Sequence, residues 1–121
     1  MVLLNLSNDG QSERTTTLPD GNEYIIRTTF VDGINSHWLM DIYDNANNPI
    51  LLGVVLTCGA DLFKGQANKL NGMQCVCGVV YNTNERSEDA LGNGLYVMIY
   101  AKDETTPLPH KDRFDMMNFI S

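Results

Sequence analysis

Residues 37–57, HWLMDIYDNANNPILLGVVLT, constrain the fold more than any other part of the chain. From His37 to Tyr43 the pattern alternates: Trp38, Met40 and Ile42 fall on one side, Leu39, Asp41 and Tyr43 on the other. A period of two is that of a half-buried strand. Residues 44–49 are rich in Asn and Asp, whose short side chains hydrogen-bond to their own backbone and favour turns. Residues 50–57 are apolar at both parities, which predicts a central strand covered from two sides. Gly53 in its middle predicts a bend or a close backbone approach. In a chain of 121 residues, a strand buried on both faces implies a small β-barrel or a tightly wrapped sandwich.

The rest of the chain extends this pattern. Residues 2–6, 13–18, 24–31, 74–81 and 95–101 read as further strands, which makes an all-β domain of about six or seven mainly antiparallel strands. Residues 13–18 are Thr-rich and half-polar, suiting an edge strand or an exposed hairpin arm. Pro19-Asp20-Gly21-Asn22 and Asp32-Gly33 are turn signals. Residues 61–69 have room for one or two helical turns, limited by Gly65 and Gly72. Residues 82–94 form a polar loop. In the last strand Leu95, Val97 and Ile99 face opposite to Tyr96, Met98 and Tyr100.

The chain is long enough for one core and too short for two. The expected division is a β domain over 1–101 and a C-terminal extension or arm over 102–121. Pro107 and Pro109 exclude that extension from a central strand. Beyond them the FDMMNFI segment concentrates Phe114, Met116, Met117, Phe119 and Ile120. It reads either as a tail or short helix folded back over the core, or as an arm docked on a neighbouring subunit. Soft, flexible side chains of this kind adapt to an irregular groove.

Charge narrows the function. Fifteen acidic residues against eight basic ones give a net charge of −7. Nucleic-acid binding draws its affinity from clustered Lys and Arg, so no nucleic-acid partner is expected; anionic membrane surfaces are disfavoured for the same reason. The N-terminus has no basic region preceding an apolar stretch, and no apolar run nears the roughly 20 residues of a membrane span. Folding in a cytoplasm is therefore expected. Cys58, Cys75 and Cys77 agree with that as small buried thiols.

The order of motifs carries a resemblance. Tyr24-Ile25-Ile26-Arg27 is followed by Trp38 and Met40-Asp41-Ile42, a polar turn, and Pro49-Ile50-Leu51-Leu52-Gly53-Val54-Val55-Leu56. Then come Gly59-Ala60-Asp61-Leu62, Leu91-Gly92 and Leu95-Tyr96-Val97. This series resembles the phage tail baseplate plug family, small hub components of contractile-tailed phages of the cyanophage type. The turn at Asn45-Ala46-Asn47-Asn48 departs from it in lacking a glycine. The resemblance implies a non-enzymatic structural protein of the virion, assembled in the host cytoplasm and present in several copies. Its partners would be hub, spike or tube proteins or neighbouring copies. Candidate contact residues are Thr15, Thr16, Thr17 and Leu18, together with Phe114, Met116, Met117, Phe119 and Ile120.

Other chemistry is weakly signalled. Asp61 after a glycine corner reads as a turn cap. Asp41 reads as a solvent-facing carboxylate or a partner of Arg27, and no spacing supplies the second carboxylate that acid–base catalysis needs. Cys58, Cys75, Cys77, His37 and His110 lack the paired knuckles of a structural zinc site, so neither metal nor cofactor is expected. Gly92-Asn93-Gly94 opens no helix, which argues against a phosphate cradle. A small ligand- or carbohydrate-binding β module is the alternative, if Trp38, Tyr43, Tyr96 and Tyr100 line one exposed groove; otherwise they are core or interface residues.

Overall fold

The structure is a computed structural model that describes residues 1–80 and 83–104. Within them lie seven strands: β1 (Val2–Leu3), β2 (Gln11–Thr17), β3 (Glu23–Val31), β4 (His37–Asp44), β5 (Pro49–Val55), β6 (Gln74–Val79) and β7 (Leu95–Tyr100). A single 3₁₀ turn, Ala67–Leu70, follows β5, and no α-helix occurs among the described residues. The strands form two antiparallel sheets, a four-stranded meander β2-β3-β4-β5 and a three-stranded sheet β1-β7-β6. Among the described residues the meander keeps two open edges, so the architecture is sandwich-like and not a closed barrel.

Two hairpins of the meander turn in the same way. In the first, Gly21 N–H donates to Leu18 O (2.9 Å) and Leu18 N–H to Asn22 O (3.0 Å). In the second, Asn47 N–H donates to Asp44 O and Asp44 N–H to Asn48 O, both at 2.9 Å. Each loop needs one left-handed residue, filled by Gly21 (φ 84°) and by Asn47 (φ 68°). Asn tolerates that region because its side chain can bond locally. The missing glycine therefore leaves the turn intact.

The alternation of β4 holds: Trp38, Met40 and Ile42 are fully buried between the sheets. They meet Cys75 and Cys77 of β6, Leu95, Val97 and Ile99 of β7, and Leu56, Phe63, Leu70 and Met73 from the β5–β6 connection. Trp38 Nε1 donates to Ser87 O (3.0 Å), which fastens the long polar loop to the core. Among the described residues Thr28 is the buried polar one, and its hydroxyl pairs with that of Ser12 at 2.8 Å. Gly92 sits where a Cβ would lie 2.2 Å from Leu6 O, so a glycine is required for the N-terminal segment to lie against the β7 approach.

Strand β5 corrects the expectation of a doubly covered central strand. Among the described residues it is an edge strand, paired only with β4, and Leu52 and Val55 remain 56% and 39% exposed. The pairing slips at Ile42, and Gly53 takes a left-handed φ of 72°. Gly53 N–H then donates to Asp41 Oδ1 at 2.7 Å. The bulge turns Leu52 and Val55 outward while Leu51 and Val54 pack on the core. The strands covered on both faces are instead β6 and β7.

Candidate interaction surfaces

Among the described residues the two outer strands of the meander, β2 and β5, each pair on one side only. Along β2, Thr15 and Thr17 are exposed and Thr16 is half-buried. They face Ile25, Glu23 and Tyr24 of β3 respectively, on one side only. A short, Thr-rich edge offers unpaired backbone groups without a large apolar area. Leu18 differs from its three neighbours: it is 2% exposed and belongs to the core. It anchors the end of the edge strand, so as a contact residue it is corrected to a packing one. The β5 edge presents Leu52 and Val55, which the reading of a doubly buried strand hid; Gly53 inside an apolar run was the available signal.

The outer face of the meander is polar and braced. The guanidinium of Arg27 lies 4.3 Å from the Tyr43 ring centroid, forms an ion pair with Glu13, and donates through Nη2 to Asn47 Oδ1 at 3.1 Å. Asp41 stands opposite Arg27 in register, yet its carboxylate holds the Gly53 bulge. Asp61 is a cap, as its position after the corner suggested: Oδ1 accepts from Phe63 N–H and from Cys75 N–H, both at 3.0 Å. One carboxylate thereby ties the corner after β5 to the start of β6.

His37, Val55, Cys58, Glu85 and Arg86 line one open cavity. There Cys58 N–H donates to Glu85 Oε2 (2.6 Å), while His37 Nδ1 lies 2.6 Å from Asn35 O. No group of three or more His, Cys, Asp or Glu residues able to hold a metal occurs among the described residues. Cys75 and Cys77 share the core face of β6, and burial pushes both thiols far above their ordinary value, Asp61 adding to the effect at Cys75. A thiol held neutral in this way is a poor nucleophile.

A family model described as cyanophage baseplate Pam3 plug gp18 matches residues 1–106. The chain belongs to this baseplate plug family. No curated protein and no solved structure matches. The matched region takes in all seven strands, and membership in the plug family assigns the chain a structural role in a baseplate.

Within the plug fold, the motifs that carried the resemblance each have a packing reason. Trp38 fills the core, Gly53 makes the bulge, Asp61 caps the corner and Gly92 admits the N-terminal segment. The aromatic groove of the carbohydrate alternative does not form. Trp38 is fully buried between the sheets and Tyr43 lies under Arg27, while Tyr96 and Tyr100 belong to the far face of β6–β7. His110, Phe114, Met116, Met117, Phe119 and Ile120 lie outside the described residues.

Proposed function

We propose that this plug protein is a non-enzymatic component of a contractile tail baseplate, sited at the hub near the tail axis. It acts by protein–protein contact with hub, spike or tube proteins or with neighbouring copies. The family match over residues 1–106 carries this reading. The two open edges of the meander support it, since a strand edge offers main-chain donors and acceptors to another chain. Thr15, Thr16 and Thr17 on β2, with Leu52 and Val55 on β5, are the proposed contact residues. Tail assemblies are rotationally symmetric, so several copies per particle are proposed, assembled in the host cytoplasm.

The test is quantitative mass spectrometry of purified particles, with this chain measured against the tube protein. A fixed whole-number copy count matching the symmetry of the hub is the expected result. Complete absence from intact particles would overturn the reading.

A further inference from the structure

Two of the three cysteines meet at the junction of the two sheets. Cys58, just past the end of β5, pairs with Cys77 of β6 through an isolated parallel bridge. Bridged residues on neighbouring strands stand about 5 Å apart, inside the roughly 4.4–6.8 Å between α-carbons that a disulfide spans. Both side chains are directed at one place: Cys77 is fully buried in the main core, and Cys58 packs against that same core. Cys75 lies two positions along the strand, about 8 Å from Cys58 by the spacing of strands and residues, which is beyond a disulfide's reach.

The two thiols differ in access. Cys58 is half-buried and lines the open cavity with His37, Val55, Glu85 and Arg86. Its amide donates to Glu85 Oε2 at 2.6 Å, which fixes the backbone at the bridge. Cys77 is closed to solvent; burial first, and then the neighbouring Cys75, Cys58 and Glu85, hold its thiol un-ionised. An oxidant therefore meets Cys58 first, with Cys77 behind it as the resolving thiol.

We propose that Cys58 and Cys77 are a redox pair, which closes into a disulfide on meeting a small-molecule disulfide oxidant. The Cys58 thiol gives its proton to water, and the thiolate sulfur attacks one sulfur of the oxidant. A mixed disulfide forms on Cys58 as the oxidant's S–S bond breaks, and the first leaving thiolate takes up a proton. Cys77 then loses its proton and attacks the Cys58 sulfur, releasing the second thiol. Two electrons pass from the cysteine pair to the oxidant, which leaves as two thiols. The new bond ties the end of β5, at the edge of the meander, to β6 of the other sheet. A particle carried out of its host leaves a reducing cytoplasm behind, and that occasion for closure rests on the proposed baseplate role. The chemistry of the pair does not, and purified protein tests it alone.

The reduced, full-length chain is incubated with glutathione disulfide, quenched in acid, alkylated and digested without reductant for mass spectrometry. The expected product is a single chain lighter than the reduced one by two hydrogens, with a peptide link between Cys58 and Cys77. A glutathione adduct that persists on Cys58, a link to Cys75, a link between two chains, or no reaction would overturn the proposal. Cys77→Ser should stop at the glutathione adduct on Cys58. Cys58→Ser, a change at the half-buried position, should take up no glutathione while the chain stays folded. Glutathione on Cys77 in the folded Cys58→Ser variant would equally overturn the proposal, since it would show that the buried thiol needs no partner to react.

Discussion

Strands β5 and β7 are similar in composition and opposite in surroundings. PILLGVV lies at the edge of its sheet with Leu52 and Val55 turned to solvent. LYVMIY runs between β1 and β6, and Leu95, Val97, Met98 and Ile99 are all fully buried. The strands differ in pairing and in the layers stacked on them, neither of which is a local property. An apolar run says that a strand wants cover; whether the cover is this chain or another is decided elsewhere in the fold. In a family of assembly proteins, an apolar edge left open is a reason to look for a neighbour.

The sharpest way to break this comparison is a matched pair of truncations. Ile99→Ala removes fully buried atoms from the main core and should destabilise the isolated protein by about 2–5 kcal/mol. Leu52→Ala should change its stability by no more than about 0.5 kcal/mol. Urea denaturation of both variants reads the difference. Equal losses would mean that β5 is covered in the isolated chain. Leu52→Ala losing incorporation into particles while keeping its stability would instead mark the edge as a contact.

A smaller effect tests what joins the two regions. Asp61 Oδ1 holds Phe63 N–H next to the corner and Cys75 N–H at the start of β6. Asp61→Ala leaves two partly buried donors without an acceptor and should cost about 2–4 kcal/mol, at roughly 1–2 per donor. Asp61→Asn keeps an oxygen in place and should recover much of that in the same denaturation experiment. Equal losses from both variants would show that charge, rather than the acceptor, holds the corner.

Much of this architecture was legible before the structure. The alternation of β4, the three turns, the cap at Asp61 and the opposed faces of β7 all follow from local pattern and side-chain chemistry. The placement of β5 was not legible, because its edge position depends on which strands pair beyond it. Leu18 was grouped with Thr15, Thr16 and Thr17 by adjacency, yet the turn that begins there carries it into the core. The turn over 44–49 was legible from its Asn and Asp residues, and its left-handed position is filled by Asn47 in place of a glycine. The staples from Glu85 to Cys58 and from Ser87 to Trp38 join residues far apart in sequence and leave no local trace.

The gentlest test separates the sheets by pH. The β2–β3 and β4–β5 hairpins of the meander are each tied by a carboxylate. Burial works against ionisation of Asp20, but hydrogen bonds from the Tyr24 hydroxyl, from Asn22 and from Asn71 outweigh it and hold the group below its ordinary value. Asp44 is lowered chiefly by the backbone and side-chain N–H groups of Asn48, with Ala46 N–H adding to them. Folding thus favours the ionised form of each. Their contribution is fully present above the unfolded value of about 3.9 and is lost as pH falls through the lowered folded values. Hydrogen exchange in acid should therefore show the amides of Asn22, Ala46 and Asn48 losing protection first. The amides of β6 and β7 that bond only across the sheet, unlike that of Cys75, which is held by Asp61, should keep their protection until the whole domain unfolds. In Asp20→Asn the first hairpin should lose this acid response and the second keep it. Simultaneous loss across both sheets would show that acid acts on the fold as one unit, with no separate weakening of the hairpins.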